Sequence, residues 1–183
     1  MRFFIWDTER IKNTKIYMLG YIYVDSDLNI LSQNIIIDDS IDVSNRNAPK
    51  RKVNEFRNIA TIVFGVKELF DEIRDFFVED DVIPVCFSKE DFLALNDQLK
   101  LANLDIVEGS FLDISNMNFF SEEKVALGKL AIHYDIQHDA HNPLSDALVT
   151  YKLLKMKIEE NVNLSDYVVS IPCKSKTLMS KRP

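Results

Sequence analysis

Four carboxylates and one histidine stand in patterns that could hold a cation and move a proton. Asp7 and Glu9 are two positions apart, just after the apolar run Phe3-Phe4-Ile5-Trp6. If that run is a strand, its period of two puts both carboxylates on one face. Two ionised groups at the end of a buried strand are costly unless a cation compensates them. Asp146 belongs to His141-Asn142-Pro143-Leu144-Ser145-Asp146-Ala147, where Pro143 suits the first turn of a helix. His141 then lies on the loop ahead of that helix, from which an imidazole could swing over a metal ligand and take a proton near neutral pH. Asp91 follows the apolar run Val82 to Phe87.

Taken singly, each has an ordinary explanation. Asp7-Thr8-Glu9-Arg10 could be the first turn after a strand. Asp91 could be the capping partner of Ser88, with Glu90 and Asp97 competing for any role there. His141 could be a surface histidine beside an aspartate favoured by the helix dipole. His133 and His138 lack the spacing to an aspartate that His141 has, and are expected to be structural or surface groups.

These residues need elements to position them. Phe3–Trp6 reads as a buried strand, Ile16–Val24 as a second and Ile30–Ile37 as a third, with Asp25-Ser26-Asp27 as a turn: an antiparallel meander. Residues 38 to 58 read as polar and irregular, with Arg46, Lys50, Arg51, Lys52 and Arg57 clustered. Apolar residues at 66, 69, 70, 73, 76 and 77 have helical spacing. A strand over Val82–Phe87, a helix from Ser88 to about Ala102, a short strand over Gly109–Ile114 and helices over Glu122–Tyr134 and Pro143 to about Glu160 complete the order. A meander followed by alternating helices and strands implies an α/β domain with a mixed sheet and helices on both faces.

Composition narrows the partners. A chain of 183 residues with 46% apolar and 28% charged residues can build one domain with a sizeable core. A net charge of −7 argues against coating duplex nucleic acid by charge alone, but not against an acidic site that holds metal ions. The start meets Asp7 and Glu9 too early for a signal peptide, and no run spans a membrane, so a cytoplasmic location is expected. Cys86 and Cys173 lack any CxxC spacing and read as unpaired thiols. The basic cluster and the tail residues Lys174, Lys176, Lys181 and Arg182 could contact a nucleic-acid backbone, although solvated charge is the simpler reading. Phe3, Phe4 and Trp6 are expected in the core rather than stacking on bases.

The order Asp-x-Glu, Asp, His-x4-Asp resembles the DEDD superfamily of 3′–5′ exonucleases, in its histidine-containing (DEDDh) branch, over roughly residues 3 to 158. Asp7 and Glu9 match the first motif, Asp91 the second, His141 and Asp146 the third. Phe87-Ser88-Lys89-Glu90-Asp91 is similar to the WGxxD motif of KapD-type relatives, and the third segment to HxAxxDA. Leu127-Gly128-Lys129-Leu130-Ala131 with Tyr134-Asp135-Ile136 resembles the helix before the third motif. Arg10 stands where the family has a threonine or another uncharged residue, and residues 38–65 lack the family's usual motif there.

The resemblance implies a ribonuclease-H-like fold, an exonuclease domain over 1–160 and a C-terminal extension over 161–183. It implies two Mg²⁺ or Mn²⁺ ions, with Asp7 bridging both, Glu9 and Asp146 on the ion that binds the attacking water, and Asp91 assisting the second. His141 would be the base. Single-stranded DNA or RNA 3′ ends, or short oligonucleotides, would be the substrates, released as nucleoside monophosphates. Relatives include dimers and parts of larger assemblies. Two other functions fit the same residues: a non-catalytic nucleic-acid or protein-binding module, and an oligonucleotide-specific phosphodiesterase.

Overall fold

The structure, a computed structural model, describes residues 1–11, 15–119 and 125–171. Its centre is strand β1 (Arg2–Ile11), in which Phe3, Phe4, Ile5 and Trp6 are all fully buried. A strand that is apolar on both faces must be covered on both. β1 pairs antiparallel with β2 (Lys15–Val24), and β2 with β3 (Ile30–Asp38), which is the expected meander. On its other edge β1 pairs parallel with β5 (Val82–Cys86), which pairs parallel with β6 (Ser110–Asp113). Two short strands close the edges: β4 (Thr61–Val63) beside β3 and β7 (Val168–Ser170) beside β6. The seven strands run in the order β4-β3-β2-β1-β5-β6-β7.

Alternation along β1 divides the core. Phe4 and Trp6 pack against α2 (Val66–Ile73), α3 (Asp75–Val78) and α4 (Glu90–Leu101), through Leu69, Phe77, Phe92 and Leu95. Phe3 and Ile5 pack on the opposite face against α5 (Leu127–His133) and α6 (Pro143–Glu159), through Leu130, Leu153 and Leu154. Helix α1 (Asn47–Phe56) covers the outer part of that second face through Val53 and Phe56 against Ile35 and Ile37.

Several elements differ from the sequence expectation. Residues 47–56, read as irregular, form α1. Their buried stripe is Lys52, Val53 and Phe56, too narrow to give a helical signal and containing a lysine. The single helix expected over 66–77 is divided at Arg74, where Phe77 N–H donates to the Arg74 carbonyl. β4 and β7 have three residues each, too few for an alternation to show. α5 begins at Leu127 rather than Glu122, and the first part of the expected helix lies outside the described residues. Cys86 is a buried free thiol, while Cys173 and the tail cations lie outside the described residues. Among the described residues no helix is long and apolar enough to cross a membrane.

Two features of this scaffold make a site possible. β5 pairs with β1 only as far as Ile5↔Val85, so the second half of β1 projects beyond its parallel neighbour. Gly20 lies opposite Asp7 on β2, on the face that receives α6. A Cβ at Gly20 would stand 2.3 Å from Leu144 N and 2.4 Å from Pro143 C. The missing side chain lets the first turn of α6 sit directly on the sheet. Gly20→Val should therefore lower the unfolding free energy by about 3 kcal/mol through overpacking of backbone on backbone. Urea unfolding reads this directly: an unchanged midpoint would mean that α6 does not seat on Gly20.

Candidate metal centre

Asp7 and Glu9 project from β1 on the face that carries Phe3 and Ile5, as the period of two requires. Asp146 comes from the first turn of α6, which Gly20 admits to the sheet. Asn142 caps that helix, its side-chain oxygen accepting from the N–H groups of Leu144 and Ser145, both at 3.2 Å, and Pro143 opens it as expected. One carboxylate oxygen from each of Asp7, Glu9 and Asp146 lies within 4.8 Å of the other two. They line a cavity of about 500 Å³ together with Arg10, Asp91, His138 and His141.

Asp91 lies behind this group. It is 4% exposed at the start of α4, and its carboxylate accepts a hydrogen bond from Thr8 Oγ1 at 2.6 Å. Thr8 faces the α4 side of β1 while its neighbours Asp7 and Glu9 face the α6 side. One oxygen of Asp91, Oδ1, is thus taken by Thr8. Ser88 Oγ accepts from Glu90 N–H at 3.3 Å, but α4 starts at Glu90 with Lys89 at its cap position and no side-chain cap bond, so the cap expected at Ser88 is displaced by one residue. Glu90 lines the cavity and offers its carbonyl to Arg10 Nη1 at 2.9 Å, and Asp97 does not line it.

The histidines divide differently from the sequence expectation. His141 is exposed, has a left-handed backbone (φ 64°), and places Nδ1 3.6 Å from Glu9 Oε1. His138, expected to be structural or at the surface, instead makes a short contact from Nε2 to Asp146 Oδ1 inside the cavity. It lies on the loop before α6 and shares no element with Asp146, so no helical or strand period relates the two. The loop between them turns back on itself, which spacing alone could not show. Gly128 of α5 packs beside the His138 ring, where a Cβ would stand in ordinary contact at 3.6 Å from Cε1. His133 stays outside the cavity, its ring set edge-on against Tyr134. Phe3, Phe4 and Trp6 are core residues, as expected.

Crowding these carboxylates raises their proton affinity. Burial pushes Asp7 well above the usual aspartate range, and the charges of Asp91, Asp146 and Glu9 push it further. Burial also raises Glu9, against the opposing influence of His141, and Asp146, against the contact with His138. Asp91 is pushed up to about 6 by burial, opposed by the Thr8 hydrogen bond. Among the described residues no lysine or arginine forms an ion pair with Asp7, Glu9 or Asp146. Clustered carboxylate oxygens short of positive charge are the donor set that hard divalent cations such as Mg²⁺ and Mn²⁺ prefer.

An α/β domain with a mixed sheet, covered on both faces and opening at an acidic cleft, is the class that fold and site define. No family model matches the sequence, and no curated protein matches it. Solved structures do. E. coli exonuclease I with a dT13 oligonucleotide superposes with a TM-score of 0.64 and 14% identity, over 91% of this chain and 43% of that one. An apo exonuclease I gives 0.63 and 12% over 86% and 42%, and an ExoI/SSB-Ct complex gives 0.62 and 13% over 91% and 43%. The likeness shows the fold, the ribonuclease-H-like α/β arrangement expected from the sequence. The chain spans less than half the length of these proteins.

The raised carboxylates have a consequence for stability. A carboxyl whose pKa is higher in the native state holds its proton longer when folded than when unfolded. Its contribution is present below the unfolded value, near 4, and is lost as pH rises through the native value, about 6 for Asp91. In EDTA the protein should therefore melt at higher temperature near pH 5 than near pH 7.5, and Asp7→Asn should flatten that difference. A wild-type melting temperature that rises steadily from pH 5 to 7.5 in EDTA would contradict the electrostatics of the site.

Proposed function

We propose that the chain is a metal-dependent 3′–5′ exonuclease of the histidine-containing DEDD branch, releasing nucleoside monophosphates from the 3′ ends of single-stranded DNA or RNA. The observation that carries this reading is the meeting of Asp7, Glu9 and Asp146 at the open end of β1, within 4.8 Å of one another. The fold likeness to exonuclease I, one structure of which holds dT13, supports it. Residues 1–160 would form the exonuclease unit. The extension from 161 contributes β7 to the sheet edge.

Asp7 would hold both of two Mg²⁺ or Mn²⁺ ions, Glu9 and Asp146 would complete one position, and Asp91 would serve the other. Bound ions would activate water, neutralise phosphate charge and stabilise the leaving oxygen. The protein's own groups do the rest. His138 fixes the orientation of the Asp146 carboxylate, and Thr8 that of Asp91. His141, beside Glu9 and exposed, is placed to accept a proton from water in its neutral form. Arg10, tethered through Glu90, has further N–H donors at the rim that suit a phosphate oxygen.

The direct test is digestion of 5′-labelled DNA and RNA oligomers with Mg²⁺, Mn²⁺ or EDTA. Stepwise shortening from the 3′ end that EDTA abolishes and Asp7→Ala removes is the expected result. Binding without shortening would instead indicate a non-catalytic module, and cleavage confined to the shortest oligomers an oligonucleotide phosphodiesterase. The two histidines should separate. His141→Ala is expected to lower turnover about 10²–10⁴-fold with metal affinity nearly intact. His138→Ala should weaken metal affinity by about 10–100-fold, with turnover recovering at high metal concentration. Calorimetric Mn²⁺ titration beside the rate assay distinguishes them, and equal small losses for both would remove His141 from the mechanism.

A further inference from the structure

The turn from His138 to Asn142 carries both histidines of the cleft, and a buried lysine from a distant helix holds it. Lys52 of α1 is only 7% exposed, and its ammonium lies 5.9 Å from the centre of the Phe56 ring. Nζ donates to Asp139 Oδ2 at 2.6 Å, across 87 positions of sequence. The same Oδ2 accepts from Asn142 Nδ2 at 3.2 Å, and Asn142 caps α6. Asp139 N–H donates to Ser145 Oγ at 2.9 Å, and Asn142 N–H to the Asp139 carbonyl at 3.1 Å. Every local bond in this set stays within the turn or joins it to its own helix. Lys52 alone in the set joins it to another part of the fold. Within the turn His141 adopts its left-handed backbone, a conformation that a residue with a side chain keeps only where its surroundings hold it.

We propose that Lys52 is a positioning residue that, through Asp139, locks the turn presenting His138 to Asp146 and His141 to Glu9. The inference rests on the exonuclease reading for its effect on rate, but not for its effect on structure. The physical reason is an asymmetry of burial. The side chain of Lys52 is 9% exposed and that of Asp139 is 54% exposed. If the turn moves away, Asp139 is rehydrated at little cost, whereas the ammonium stays among Phe56 and its apolar neighbours without an anion. The pair therefore favours a single position of the turn more than it favours folding.

Three variants test this: Lys52→Met, Lys52→Arg and Asp139→Asn. Each is followed by thermal unfolding, by the imidazole NMR signals of His138 and His141 in EDTA, and by kcat and KM with Mn²⁺. Lys52→Met removes the charge with the aliphatic stem kept, so its melting temperature should stay within about 2 °C, about 1 kcal/mol or less for a chain of this size. Its histidine signals should broaden or divide, and kcat should fall about tenfold with KM changed less than twofold. Lys52→Arg should restore much of both. Asp139→Asn should show the same loss of kcat and also melt at least about 5 °C lower, because it strands the ammonium. Unchanged histidine signals in Lys52→Met, or equal melting temperatures for Lys52→Met and Asp139→Asn, would overturn the proposal. A wild-type protein without nuclease activity would defeat the functional reading alone, since the NMR and melting arms decide the role of Lys52 in metal-free protein.

Discussion

Mutual repulsion among desolvated carboxylates is the constraint around which the rest of the structure is arranged. Asp7 is surrounded by Asp91, Asp146 and Glu9 in a setting that already disfavours its charge. A flexible segment would relieve that repulsion by moving apart. β1 cannot, because Phe3 to Trp6 fix it in the core from both faces immediately before the site. The carboxylates are held together by hydrophobic burial that they do not share in. Their poor self-solvation is what makes the cleft attractive to a cation.

The supporting contacts follow from that constraint. Two of the carboxylates away from Asp7 have a hydrogen-bonded partner that fixes their aim, Thr8 for Asp91 and His138 for Asp146, while His141 stands 3.6 Å from Glu9. The partners are neutral or weakly basic groups, so they orient the oxygens without cancelling the negative charge as a lysine or arginine would. Among the described residues the two positive side chains nearby form no ion pair with Asp7, Glu9, Asp91 or Asp146. Arg10 is tied to the Glu90 carbonyl, and Lys52 to Asp139. Gly20 sets the scale of the whole arrangement, because the distance from Asp146 to Asp7 depends on how closely α6 meets β2.

Much of this was legible in the sequence because it is local. The period of a strand predicts that Asp7 and Glu9 share a face, and Pro143 predicts the helix that carries Asp146. The meander and the alternating elements predict the mixed sheet. The remainder depends on contacts between distant segments. Lys52 reads as one of a basic cluster, yet it is buried against an aspartate that no spacing connects to it. Thr8 stands between two acids in the sequence, yet it faces the other way and holds a third. His138 reads as a bystander because its partner is reached through a turn rather than along a helix. Gly20 falls inside an expected strand, and only the position of α6 shows why a side chain is excluded there.

The central claim is that Asp7, Glu9 and Asp146, with Asp91 behind them, form one centre for divalent cations. Anomalous diffraction from crystals soaked in Mn²⁺ tests it most directly. The account predicts one anomalous peak at about 2.0–2.6 Å from oxygens of Asp7, Glu9 and Asp146. It predicts a second peak sharing Asp7, about 3.5–4 Å from the first on the Asp91 side. Manganese bound only elsewhere, with the three carboxylates left without an ion at saturating concentration, would contradict it.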